Sequence, residues 1–167
     1  WTTQGVEVDL VANTATGADI PGGSEPVAAS VVNVIGGSGD DILRGDPGDN
    51  QLFGGAGNDL LTGGLGGNDL FYVDSAYDVV SEAANGGNDR VLSSVSYSLA
   101  AGVQVEQLTT DNGAATNLTD PADNYSDTIV TSHPGALPLY GDAGDDTGVA
   151  AGAGVQVDGH APGVAFV

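Results

Sequence analysis

The chain has 167 residues, about one domain's worth, and sets 23 acids against two arginines and no lysine, for a formal charge of −21. So acidic a surface repels nucleic acid and anionic membranes and offers no basic groove. There is no cysteine, which excludes disulfides and thiolate metal sites, and no apolar stretch approaches the ~20 residues that span a bilayer.

From the N-terminus, no basic segment precedes an apolar one, so no secretory signal peptide is visible; a chain that starts at Trp1 reads as a mature form or a fragment. Val6, Val8 and Leu10 alternate with polar neighbours and predict a strand. After the breaker cluster Pro21-Gly22-Gly23-Ser24, Val27 to Ile35 forms a second apolar segment. Residues 1–35 are expected to be capping strands, because the open end of a stacked-strand fold exposes unpaired edges.

A nine-residue beat then begins with Gly36-Gly37-Ser38-Gly39-Asp40-Asp41-Ile42-Leu43-Arg44 and recurs at Gly45–Phe53 and Gly54–Thr62. A fourth copy, Gly63–Phe71, carries an extra glycine that shifts its acid by one place. The pattern is G-G-x-G-x-D-x-U-x, with U a large apolar residue. Its glycines let carbonyl oxygens approach one another without Cβ clashes. Its acid supplies a carboxylate, and hard Ca²⁺ takes about six to eight such oxygens. The last three residues make a minimal strand whose apolar residue points inward: Leu43, Leu52, Leu61 and Leu70.

One loop and one strand per nonapeptide complete a turn of a flattened coil every two repeats. The expected fold is all-β, a right-handed β-helix solenoid with calcium-binding glycine-rich loops over 36–73. Loops on the same edge lie two repeats apart, so one ion is expected between 36–41 and 54–59 and another between 45–50 and 63–69. A disordered acidic linker is the competing reading, but the chain is 40% hydrophobic and places an apolar residue in register in every repeat.

Phe71-Tyr72-Val73 reads as the closing strand. Residues 74–116 read as degenerate spacer strands, at Val91–Leu99 and Val103–Thr109, with Gly86–Leu92 echoing the repeat. Within them Asp78, Glu82 and Asp89 are expected to be solvated surface acids in preference to a further calcium site. Residues 117–167 read as a degenerate second roll segment, poor in calcium, with strands at 127–130 and 137–140 and a worn loop at Gly141–Asp146. Pro138 falls inside one of these strands, where only an edge or bulge tolerates it.

Catalytic chemistry finds no residues of its own. His133 and His160 lie beside proline or glycine in loops, no G-x-S-x-G elbow exists, and a phosphate-binding Walker loop lacks its lysine. Paired carboxylates abound only where the repeat already explains them. The chain therefore reads as not an enzyme.

The nonapeptides resemble the RTX (repeats-in-toxin, hemolysin-type) calcium-binding repeats of secreted bacterial proteins. The resemblance implies a parallel β-roll, with ligands from the carbonyls of positions one and three and further oxygens around positions five and six. In this chain those are Gly36, Ser38, Asp40, Asp41, Gly45, Pro47, Asp49, Asn50, Gly54, Ala56, Asn58, Asp59, Gly63, Leu65 and, past the extra Gly67, Asp69. Asn50 puts a neutral amide where the others carry a carboxylate, which implies a weaker site. The resemblance also implies type I export by an uncleaved C-terminal signal, to the cell exterior or cell surface, and folding on external calcium. On that basis the expected role is structural or assembly-related, through self-association or a cell-surface partner. The alternative is the C-terminal folding and secretion module of an exported enzyme such as a protease or lipase. An ice-binding role would need a regular threonine rank that the repeats lack.

Overall fold

The computed structural model describes residues 4–17, 24–84 and 86–110, and beyond them only the backbone of five short strands. The strands in chain order are β1 (Val6–Asp9), β2 (Thr14–Gly17), β3 (Ser24–Pro26), β4 (Asn33–Gly37), β5 (Ile42–Arg44) and β6 (Gln51–Gly55). They continue as β7 (Leu60–Thr62), β8 (Leu70–Val73), β9 (Val79–Ser81), β10 (Arg90–Ser93), β11 (Tyr97–Ser98) and β12 (Gln107–Thr110). The backbone-only strands are β13 (Leu118–Thr119), β14 (Thr128–Thr131), β15 (Pro138–Tyr140), β16 (Thr147–Ala150) and β17 (Gln156–Val157). The described residues form no helix, and so none long and apolar enough to cross a membrane.

From β4 onward the strands alternate between two faces of a parallel coil, as the β-roll expectation requires. One face is a single sheet in the order β16-β14-β12-β10-β8-β6-β4. The other is split into β3-β2-β1-β5-β7-β9 and β11-β13-β15-β17. Every pairing from β4 onward is parallel; only the N-terminal β1–β2–β3 meander is antiparallel.

Two apolar ranks face each other across the coil. On one side Val8, Leu43, Leu61 and Val80 stand in register. On the other stand Val34, Leu52, Phe71, Val91 and Leu108. All of these except Val8 are buried, and Leu43, Leu52, Leu61, Phe71 and Val91 are 0% exposed. The expected inward residue of the fourth repeat is corrected: Phe71 takes the place assigned to Leu70, which is only half-buried. The extra Gly67 lengthens the loop by one residue, and a one-residue shift in a strand exchanges its two faces. Gly67 absorbs the insertion at φ 102°, where a Cβ would lie 2.4 Å from the Gly48 carbonyl oxygen, so only glycine fits.

Other boundaries also differ from expectation. Of the apolar segment 27–35, only Asn33–Ile35 enters a strand, β4. Phe71–Val73 is an interior strand rather than the closing one, because β10 pairs along it from Leu70 to Val73. The stretch Val91–Leu99 is two strands with a corner between, where Ser93 Oγ donates to the Val95 carbonyl at 2.8 Å. Val103 and Val105 pack on the core but precede the next strand, which starts at Gln107. Pro138 is the first residue of β15, a position where its missing N–H is tolerated. The loop expected at Gly141–Asp146, both histidines and residues 158–167 lie outside the described residues.

The N-terminal meander docks through β1, which pairs in parallel with β5, and an Arg44–Glu7 ion pair bridges the two. On the outer face of the long sheet, Phe53 and Tyr72 stack with centroids 3.7 Å apart. If the inward rank holds the coil together, Leu61→Ala should cost about 2–5 kcal/mol by urea unfolding. Leu65→Ala, at a site 83% exposed, should stay within about 0.5 kcal/mol.

Candidate metal centre

Along both edges of the coil, six acids that stand directly before a strand reach back to the turn before it. On one edge Asp41 Oδ1 accepts the Val6 N–H (2.7 Å), Asp59 Oδ1 accepts that of Asp41 (2.7 Å), and Asp78 Oδ1 accepts that of Asp59 (2.9 Å). On the other, Asp69 Oδ1 accepts the Asn50 N–H (2.8 Å), Asp89 Oδ1 that of Asp69 (2.8 Å), and Glu106 Oε2 that of Asp89 (2.6 Å). Seven residues, from the loops before β5 to β10 and before β12, are thereby strung into two ladders that run beneath the glycine turns.

Four of the ladder acids use one oxygen this way and leave the second over. Asp41, Asp59, Asp69 and Asp89 each keep Oδ2 buried without a hydrogen-bond partner, as does Glu82 Oε2. A buried carboxylate oxygen without a donor is costly, so these atoms point to a cation. They converge where glycine leaves room. A Cβ on Gly36 would lie 2.0 Å from Asp41 Oδ2 and 2.6 Å from the Gly54 carbonyl oxygen. One on Gly45 would lie 2.1 Å from the Gly63 carbonyl oxygen and 2.2 Å from Asn50 Oδ1, and one on Gly54 would lie 2.1 Å from Asp59 Oδ2. The donor set is all oxygen, carboxylate plus carbonyl, and fits a hard cation such as Ca²⁺.

Electrostatics agree. Burial pushes Asp59 and Asp69 up to about 6, helped by Asp78, Asp41 and Asp74 around the first and by Asp89, Asp49 and Asp46 around the second. Burial likewise raises Asp41, Asp74, Asp78 and Asp89, and lifts Glu82 to about 7 with Asp89, Asp69 and Glu106 nearby. A bound cation would offset this concentration of negative charge.

The residues inferred from the repeat divide into two groups. Gly36, Asp41, Gly45, Asn50, Gly54, Asp59, Gly63 and Asp69 line the two inner edges. Asp40, Asp49 and Asn58 send their side chains to an exposed outer ladder instead: Asp40 Oδ1 accepts the Asn58 N–H (2.9 Å) and Asp49 Oδ1 that of Asn68 (2.7 Å). Ser38, Pro47, Ala56 and Leu65 are exposed.

The expectation that Asp78, Glu82 and Asp89 are solvated is overturned: they are 6%, 9% and 0% exposed. Asp78 closes its own ladder, since Oδ2 accepts the N–H groups of Asp74 (3.2 Å) and Ser75 (3.1 Å). Asp89 and Glu106 are ladder members that the nonapeptide spacing misses. The signal that finds them is an acid placed immediately before a strand, as in Asp78-Val79, Asp89-Arg90 and Glu106-Gln107.

These shifts give the metal-free protein a pH dependence. A carboxyl whose folded value lies above its unfolded value of about 4 stabilises the fold fully below about pH 4, and loses that contribution as pH rises through the folded value. With Asp59 and Asp69 near 6 and Glu82 near 7, calcium-stripped protein should melt at a lower temperature at about pH 8 than at about pH 5. Excess calcium should reverse the trend, because ligand carboxylates must be deprotonated. Thermal unfolding followed by circular dichroism at both pH values, with and without calcium, checks both signs.

No curated protein and no solved structure matches the chain significantly. The family model of the RTX calcium-binding nonapeptide repeat matches residues 35–70 in four copies. That stretch holds the glycine cradles and the ladder residues from Asp41 to Asp69, so residues 35–70 belong to the RTX calcium-binding repeat family.

Proposed function

We propose that this chain is a calcium-folded β-roll module of an exported bacterial protein, with a structural role at the cell surface. The observation that carries the calcium part is the convergence of buried, unpartnered carboxylate oxygens on glycine backbone at Gly36 and Gly54. Asp41 and Asp59, with the carbonyls of Gly36, Ser38, Gly54 and Ala56, would hold one ion. Asn50 and Asp69, with the carbonyls of Gly45, Pro47, Gly63 and Leu65, would hold the next. A bound calcium supplies two positive charges and about six to eight coordination positions.

The chain's own part is to place these oxygens. The Oδ1-to-N–H bonds fix each carboxylate, and the glycines keep side-chain bulk out of the gap. Without a counter-ion the buried acids repel one another, and the charge of −21 opposes compaction further. A low-calcium compartment would leave such a chain unfolded, and calcium outside the cell would close it. Export is supported by the repeat family, whose members are typically exported bacterial proteins. The structural role is supported by what the buried acids do: each ladder carboxylate holds a backbone N–H of the preceding turn, which serves folding rather than turnover.

Calcium added to chelator-treated protein should drive a cooperative rise of β-signal in far-UV circular dichroism, with magnesium as the control. Asp41→Asn should move the calcium midpoint up by about tenfold, equivalent to about 1.4 kcal/mol. Asn50→Asp, which restores the carboxylate that the second repeat lacks, should move it down. Full β-structure in chelator, unchanged by calcium, would defeat the reading.

A further inference from the structure

Asp69, Glu82 and Asp89 each bring one carboxylate oxygen within 4.8 Å of the other two. Two of the three lie outside the matched repeat block, on the chain that follows β9. Every one is fixed by a bond on its other oxygen: Asp69 Oδ1 accepts the Asn50 N–H (2.8 Å), Asp89 Oδ1 that of Asp69 (2.8 Å), and Glu82 Oε1 that of Ala83 (2.7 Å). The oxygens that remain, Asp69 Oδ2, Glu82 Oε2 and Asp89 Oδ2, are all buried and unpartnered.

The position of Glu82 explains the cluster. Gly45 directly follows β5, Gly63 directly follows β7, and Glu82 directly follows β9, so the three occupy the same place in successive turns. At Gly45 the oxygen offered by the next turn is the Gly63 carbonyl, 2.1 Å from a Cβ built there. At Gly63 the oxygen offered by the next turn is Glu82 Oε2, 2.0 Å from the built Cβ, with Asp69 Oδ2 at 2.3 Å. A carboxylate has replaced a carbonyl in the column, and Asp89 adds a third acid from the loop beyond.

We infer that Asp69, Glu82 and Asp89 form a further cation site, made of carboxylates and sharing Asp69 with the second repeat site, that fastens the last nonapeptide loop to the 82–89 segment and fills before the repeat sites. The inference rests on the proposed calcium reading for its choice of ion. Three formal charges at one point exceed what any pair of repeat loops gathers at its glycine cradle, and ligand charge count is a principal determinant of affinity for hard cations. The same excess should favour a trivalent lanthanide over Ca²⁺ here more than elsewhere in the coil.

Calorimetric titration of calcium into stripped full-length protein, wild type against Glu82→Gln, tests it. The expected result is loss of the tightest binding phase and one ion fewer per chain, with the weaker phase and the calcium-induced β-signal retained. An E82Q isotherm identical to the wild type would overturn the site while leaving the repeat reading intact. No calcium binding by the wild type would overturn both. A second measurement needs no variant: substoichiometric Gd³⁺ is added to calcium-loaded wild type, and amide signals are followed by NMR. Broadening first at Gly63, Ala83 and Asp89 supports the site, and broadening first at 36–41 and 54–59 overturns it.

Discussion

The structure depends on one repeated bond, a carboxylate oxygen of one turn accepting the backbone N–H of the ladder residue in the turn before. It does for the loops what the parallel ladders do for the strands. Glycine-rich loops have no side-chain packing of their own to hold one turn over the next. With the bond in place, Asp41, Asp59 and Asp78 lie in file along one edge, and Asn50, Asp69, Asp89 and Glu106 along the other. The inward ranks from Leu43 to Val80 and from Val34 to Leu108 then fall into register between them.

The same bond creates the need for metal. Fixing one oxygen of Asp41, Asp59, Asp69 and Asp89 beneath the turn leaves the other buried without a partner, and Glu82 Oε2 makes a fifth such oxygen. A buried group without a partner costs about 1–3 kcal/mol, more when charged. Together they can match the whole net stability of a domain, about 5–15 kcal/mol. Two means of relief exist, protonation and a cation. The raised carboxyls, up to about 7 at Glu82, show the first beginning near neutral pH. A cation relieves the strain without giving up the charge, and it acts on two turns at once.

Much of this was legible from the residues alone, and what escaped has a definite cause. The coil, the two-repeat turn and the inward Leu43, Leu52 and Leu61 follow from strict nine-residue spacing. Where the spacing slipped, the reading slipped. Phe71 rather than Leu70 turns inward because one inserted glycine moves the strand by one residue, and sequence alone does not say whether a loop or a strand absorbs an insertion. Asp78, Glu82 and Asp89 looked like surface acids because no glycine frame surrounds them, and their burial comes from neighbouring turns about 20 residues away in sequence. The side chains of Asp40, Asp49 and Asn58 face outward because adjacent loop residues alternate in direction, which a list of motif positions does not convey.

What the coil conserves from turn to turn is therefore the junction between acid and strand. The ladder residues are 18 and 19 residues apart from Asp41 to Asp78, and 19, 20 and 17 apart from Asn50 to Glu106. Yet each stands immediately before its strand, at Asp41-Ile42, Asn50-Gln51, Asp59-Leu60, Asp69-Leu70, Asp78-Val79, Asp89-Arg90 and Glu106-Gln107. Turn length can vary because the glycines, with φ of 102° at Gly67 and 152° at Gly87, take up the slack in the loop. The junction cannot vary, since moving the acid by one residue would point it away from the N–H it caps. Where the junction is lost, a different group takes over. Between β9 and β11, which no longer pair, the buried Tyr97 hydroxyl accepts the Val80 N–H at 3.2 Å and donates to the Asp78 carbonyl at 3.0 Å. A side chain thus bridges the gap between β9 and β11, so the coil passes from its acid-laddered part into the next without leaving those two backbone groups unpaired.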